Sequence, residues 1–148
     1  MNQINVRLVN ISTPSLMTIC VDSLEEGEIQ GRLYHYYDEE PVVFESVLDL
    51  LREMEQLCDD IVFPQASTVS RSFFEKEQES FLKIKRKEKE VAWEKLLSQE
   101  GKKGTFITCV KFRQRSTWQG DFLWKEKEEK IFFSTALEFV RLLTQALK

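Results

Sequence analysis

The chain aligns with itself when it is shifted by 89 positions, and this internal repeat constrains the fold more than any other feature. Residues 16–57 then lie on residues 105–146 without a gap, and 10 of the 42 aligned positions are identical. Average composition would give roughly two or three identities. Gly31 and Gly120 are among the identical pairs. The alternative is convergence of two hairpin–helix units, but the ungapped match favours an internal duplication.

Each aligned segment has the pattern of three strands followed by one helix. In the later copy, alternation by period two places four residues on one strand face: Trp118, Gly120, Phe122 and Trp124. Hydroxyl–carboxylate capping patterns begin both helices, at Ser46 and at Thr135. We therefore expect an α+β fold of two pseudo-symmetric βββα repeats, about 16–57 and 105–146. One sheet or two packed sheets would carry both helices on their apolar faces.

The length of 148 residues suits a single compact domain spanning 1–148. Within it we expect repeat 1 at about 5–60, a charged connector helix at about 70–100, and repeat 2 at about 104–148. Pro64 should end the first helix. The hydroxyl-rich segment 67–72 is expected to cap the connector helix rather than to hold an anion.

Charge is distributed unevenly along the chain. Residues 1–60 carry 13 acids and 3 bases, whereas residues 61–148 carry 12 acids and 18 bases. Such a division is typical of a partner-binding tail or of two halves that attract each other, although different solvated faces would also produce it. The overall pI near 5.2 argues against a general nucleic-acid binder.

The charge reversal is sharpest in the turn between the first two strands of each copy. The turn at 111–117 carries three bases, and the aligned turn at 22–28 carries four acids. We expect Trp118, Phe122 and Trp124 to be core residues, so the repeat architecture explains the aromatic residues but not the arginines. The predicted partner-binding residues are therefore these five: Lys111, Arg113, Arg115, Glu25 and Glu26.

Candidate catalytic groups are few. His35 is the only histidine, and it is expected to pack within a strand. The three cysteines form neither a CxxC motif nor a Cys/His cluster, so we expect no metal, no cofactor and no disulfide. Paired acids occur in both copies, where we expect them in a turn, and they would form a carboxylate site only if the fold brought them to one cleft. These acids are Glu39, Glu40, Glu128 and Glu129.

One motif resembles a known group of proteins. The pattern TFxxxVxFRQxxTWQGxxxW with its following helix start resembles a group of small uncharacterised proteins from clostridia-type bacteria, and so does the segment at 63–73. The residues that carry it are Thr105, Phe106, Val110, Phe112, Arg113, Gln114, Thr117, Trp118, Gln119, Gly120, Trp124, Leu137 and Glu138. The resemblance implies the fold described above and brings no activity or catalytic residue with it.

These features favour a non-enzymatic, cytoplasmic protein-interaction or regulatory module, acting as a monomer or a homodimer. The alternative is a nucleic-acid-associated protein that uses the basic turn at 111–115 and the basic run at 83–89. The third hypothesis is an enzyme with the carboxylate site named above. No apolar run is long enough to cross a bilayer and the N-terminus lacks a signal-peptide pattern, so we expect no membrane partner.

Overall fold

The computed structural model describes residues 6–64, 88–114 and 117–148. This part of the chain folds into an α+β structure with one six-stranded antiparallel sheet in the order β3-β2-β1-β4-β5-β6. The strands are β1 (Met17–Glu25), β2 (Glu28–His35), β3 (Asp38–Phe44), β4 (Gly104–Phe112), β5 (Gln119–Trp124) and β6 (Glu129–Phe133). The helices are α1 (Val47–Ile61), α2 (Trp93–Ser98) and α3 (Ala136–Ala146), after a 3₁₀ turn at Val6–Leu8.

The strand registers of the two halves match at the 89-residue offset. Ile19 lies opposite Leu33 in the first hairpin, and Thr108 lies opposite Phe122 in the second. Each hairpin also has a register irregularity at the aligned place, after Val21 and after Val110. The first half, β1 to α1, and the second half, β4 to α3, therefore have the same strand order and inner register.

Both aligned glycines allow a close approach of two backbones. A Cβ atom built on Gly31 would lie 1.9 Å from the carbonyl oxygen of Cys20, and one on Gly120 would lie 1.9 Å from that of Cys109. No side chain fits at either place without moving a strand. The glycines thus fix the same local geometry in both halves.

The central strands β1 and β4 pair in a reciprocal register. Met17 lies opposite Thr108, and Ile19 lies opposite Phe106. Met17 aligns with Phe106 and Ile19 aligns with Thr108, so the self-alignment converts one pair into the other. The register is centred on the pair of Thr18 and Ile107. In an interface between two identical chains related by a twofold axis, residues exchange in the same way.

Helices α1 and α3 cover one face of the sheet. Each begins at a side-chain cap, with Ser46 Oγ accepting from Asp49 N–H and Thr135 Oγ1 accepting from Glu138 N–H, both at 3.0 Å. These bonds satisfy amides that a helix start leaves unpaired. The fully buried large side chains between these helices and the sheet include Phe44, Leu50, Met54, Phe106, Phe133 and Phe139, and burial of apolar side chains is the main favourable contribution to folding.

Helix α2 and its flanking segment lie on the opposite face. Thr18 Oγ1 donates to the Leu96 carbonyl at 2.8 Å, and the buried Lys125 Nζ donates to the Leu97 carbonyl at 2.9 Å. The expected connector helix at about 70–100 is therefore wrong over its described part, because 88–92 is not helical and α2 has only six residues. Residues 65–87, including the hydroxyl-rich segment at 67–72, lie outside the described residues.

Two further expectations need correction. Glu39 and Glu40 lie within strand β3 rather than in a turn, because the chain already turns at Tyr36 and Tyr37. Trp118 and Phe122 are core residues, at 5% and 3% exposure, whereas Trp124 is half-buried at the margin of the core. Within the described ranges, none of the helices is both long and apolar enough to cross a membrane.

Candidate functional site

Arg113, predicted to contact a partner, is instead buried within the fold at 4% exposure. Its Nε donates to the Pro64 carbonyl at 2.6 Å, and Nη1 donates to Asp59 Oδ1 at 2.5 Å. Glu55 lies 3.6 Å from the same Nη1 and accepts a 2.8 Å hydrogen bond from the indole of Trp118. This cluster, the arginine clasp, joins the end of β4 to the end of α1. A buried charge needs such partners, so these intramolecular contacts account for a charged residue at this place.

Lys111 takes part in a charge exchange between the two halves. Its Nζ lies 2.9 Å from Asp121 Oδ2, and the aligned residues Asp22 and Arg32 form an ion pair at 2.8 Å. The ion pair therefore lies at the same place in both halves. Its acid is on the first strand of the first half (β1) and on the second strand of the second half (β5). Arg32 holds the pKa of the Asp22 carboxyl below its usual range. The charge reversal in this turn thus has an intramolecular explanation at this pair.

The acidic turn is exposed. Glu25 ends β1, and the following Glu26 and Gly27 both have positive φ, 53° and 80°, as a two-residue hairpin turn of this kind requires. Both glutamates face solvent. Arg115 lies outside the described residues. The described residues therefore place the predicted acidic contacts at a hairpin tip, and the predicted basic contacts do not form a common surface with them.

The paired acids do not converge. Glu39 and Glu40 lie in β3, whereas Glu128 ends the turn before β6 and Glu129 begins β6, at the opposite edge of the sheet. The predicted carboxylate site is therefore not assembled. The described residues also contain no group of three or more His, Cys, Asp or Glu side chains placed to hold a metal ion.

His35 and the cysteines are packed within the fold. His35 is 8% exposed, and its Nδ1 accepts a hydrogen bond from the Tyr37 amide at 3.0 Å. The three thiols are buried and form no disulfide, and burial raises the pKa of Cys20 and of Cys58 to about 12. Thiols in this state are poor nucleophiles at neutral pH.

An apolar groove opens between α3 and the outer strand β6. It encloses about 140 Å³. Sheet residues Phe122, Trp124, Glu129 and Ile131 form one wall, and helix residues Leu142, Gln145 and Ala146 form the other. Ile131 is 48% exposed. An apolar cavity of about 150 Å³ can hold a ring the size of benzene, so the groove can accept one large apolar side chain.

The aligned region of the first half is different in two respects. Ala146 aligns with Leu57, a larger side chain that is buried at 4% exposure. Lys130 of β6 aligns with Pro41 of β3, and proline has no amide to offer at a sheet edge. The second half therefore has an apolar groove beside a proline-free edge strand, in a place where the first half has a leucine and a proline.

Two exposed aromatic residues lie on the other face of the same three strands. Phe112 and Phe132 are each 50% exposed. Phe132 lies opposite Asp121, whose carboxylate is shared by Lys111 at 2.9 Å and Lys130 at 3.3 Å. The face around Phe132, which we call the lysine face, thus has two ammonium groups for one carboxylate.

The groove was not among the residues predicted from the sequence. The sequence signal for it was present, since the self-alignment already placed Ala146 opposite Leu57. The smaller side chain of Ala146 predicts a groove only if both helices cover the same face of the sheet, and the alignment alone does not establish that. No protein-family model, no curated protein and no solved structure matches this chain.

Proposed function

We propose that this protein is a non-enzymatic, cytoplasmic interaction module that binds an extended segment of a partner protein along β6. One apolar side chain of that segment would enter the groove between β6 and α3. The observation that carries the proposal is an apolar cavity of about 140 Å³ directly beside a sheet edge. Addition of a strand to an exposed edge gives affinity through the main chain, and side-chain pockets give specificity.

The edge itself supports this function. β6 is the last strand of the sheet, so one side of its backbone has no neighbouring strand among the described residues. Edge strands of this kind are usually protected by proline, charge or a covering element. β3 has Pro41 at the opposite edge, whereas β6 has no proline and combines Glu129 and Lys130 with exposed Ile131 and Phe132.

We also propose that the two halves arose by duplication of one βββα unit. The shared registers, the aligned bulges, the two close-packed glycines and the reciprocal β1–β4 pairing all support this origin. A duplicated unit begins with two equivalent edges. On this view the first edge was closed by Pro41 and Leu57, and the second edge kept the binding function.

The second candidate function is nucleic-acid binding, and a different observation favours it. Phe112 and Phe132 are half-exposed near Lys111 and Lys130, as in sheets that stack bases on aromatic rings. Against it, Asp121 lies between the lysines, and the chain has a net charge of −4. The peptide-binding function is therefore better supported.

Filling the groove tests the proposed function. Short peptides are selected from a random displayed library on the wild-type protein, and their affinities are then measured for Ala146→Leu, which copies the residue of the first half. We expect binding at least about tenfold weaker, because the inserted leucine occupies the space of the anchor side chain. Thermal melting confirms that the variant folds, and Ile131→Gln provides a second change on the other wall.

The emission of Trp124 supplies an independent readout, since this half-buried indole lines the groove. A bound peptide should shift the emission to shorter wavelength, and Trp124→Phe should abolish that shift. Unchanged affinity in both the Ala146→Leu and Ile131→Gln variants would place the peptide elsewhere and would rule the groove out. Recovery of single-stranded RNA by the same protein, lost in Phe132→Ser, would favour the second candidate instead.

A further inference from the structure

We infer that the partner segment alternates aliphatic and acidic side chains, with the aliphatic ones facing the groove and the acidic ones facing the lysine face. This inference rests on the proposed function of β6. It follows from the geometry of an added strand, whose successive side chains point to opposite faces of the sheet. The two sides of β6 have different chemistry, so they select different residues at alternate positions.

The groove side selects an apolar residue. Its walls include Phe122, Trp124 and Leu142, and its polar groups are those of Glu129 and Gln145. An acidic side chain placed there would lose its hydration and would find no group of opposite charge to pair with. An aliphatic or aromatic residue instead removes the exposed part of Ile131 from water.

The lysine face selects an acidic residue. Lys130 is part of β6 itself. Its side chain is 35% exposed, and that of Lys111 is 36% exposed. Both ammonium groups approach the same carboxylate of Asp121, which is itself only 13% exposed. Among the residues that the structure describes, the cluster therefore carries one positive charge in excess. A carboxylate on the neighbouring strand would balance that excess and form a cross-strand ion pair.

The first half provides the contrast within the same molecule. There Arg32 pairs with Asp22 one to one, and Pro41 stands in the position of Lys130. The first half therefore lacks the edge-strand cation that Lys130 provides in the second half. Charge selection by an added strand is expected at β6 and not at β3.

The alternating pattern is tested with two labelled synthetic peptides of about the length of β6 plus flanks. One alternates leucine with glutamate, and the other alternates leucine with lysine. Fluorescence anisotropy at low salt should show the glutamate peptide binding at least about tenfold more tightly, a preference that shrinks as salt is added. Lys130→Glu should reverse the preference, whereas Lys102→Glu, at an exposed lysine that precedes β4, should leave it unchanged.

The outcomes separate this inference from the proposed function. If both peptides bind equally and both lose affinity in Ala146→Leu, the groove binds peptides but the acidic preference is wrong. If neither peptide depends on Ala146, the proposed function and the inference both fail. If the glutamate preference persists in Lys130→Glu with the fold intact, the lysine face does not select the partner and the inference is overturned.

Discussion

The guanidinium of Arg113 lies 2.5 Å from the carboxylate of Asp59, and this contact joins the residue that follows β4 to the last turn of α1. The two residues are separated by 54 positions in the chain. The self-alignment pairs Arg113 with Leu24, so its charge had appeared dispensable for folding. Leucine cannot form such a contact, so the two halves differ in how they join their strands to α1.

Removing the clasp should destabilise the protein. Arg113→Ala leaves Asp59 and the Pro64 carbonyl without their buried donor, and we expect a loss of about 3 kcal/mol in the free energy of unfolding. Urea denaturation measures this loss. Lys102→Ala, an exposed change, should stay within about 0.5 kcal/mol, and a similarly small effect of Arg113→Ala would contradict the structural role.

The two buried glycines should be equally intolerant of a side chain. Gly31→Ala and Gly120→Ala each place a Cβ atom 1.9 Å from a backbone oxygen of the neighbouring strand. Because a strand must move to relieve the contact, each change should cost at least about 3 kcal/mol, the upper end of ordinary overpacking. Unfolding midpoints of the two variants test both the magnitude and its equality. Gly27→Ala is not a matched control, since its φ of 80° adds backbone strain.

The Asp22–Arg32 pair should contribute to acid sensitivity. Hydrogen bonding by Arg32 lowers the pKa of Asp22 in the folded protein, so the carboxylate stabilises the fold above the usual aspartate pKa. That contribution disappears as the pH falls below about 4. The stability difference between wild type and Asp22→Asn should therefore be constant near neutral pH and shrink in acid. Arg32→Gln should reduce the same pH dependence, and a difference that grows in acid would contradict the assignment.

The cysteines should react only when the protein opens. Burial raises the thiol pKa of Cys20 and Cys58 to about 12, so little thiolate exists near neutral pH. Maleimide labelling followed by mass spectrometry should be slow in native buffer and complete in denaturant. Rapid labelling of Cys58 in folded protein would show that the end of α1 opens independently. Arg113→Ala should accelerate labelling at that residue first.

Much of the fold can be predicted from the sequence because the local patterns agree with the self-alignment at 89 residues. Alternation, turn chemistry and the caps at Ser46 and Thr135 predicted the strands and helix starts of both halves, and Pro64 follows the end of α1 as expected. The boundary of β3 was predicted less well, because acidic residues usually favour turns and here occupy an edge strand. The resemblance carried by the motif at 105–124 stays a prediction.

The candidate site was less predictable because it depends on contacts between distant elements. The pairing of Arg113 with Asp59 and the sharing of Asp121 by two lysines are set by tertiary geometry, which no local spacing reveals. Charge alone therefore directed the prediction to the turns. The groove depends on the small size of Ala146, and a single small residue in a helix forms no sequence motif that would indicate a binding site.

The reciprocal register of β1 and β4 also has a consequence for assembly by mass action. If the two halves were produced as separate polypeptides, their central strands could associate as two chains do, and stability would depend on the concentration of each fragment. In the single chain, the connection supplies a fixed effective concentration instead. The native protein should therefore unfold at a midpoint that is independent of dilution, whereas a mixture of its halves should dissociate on dilution.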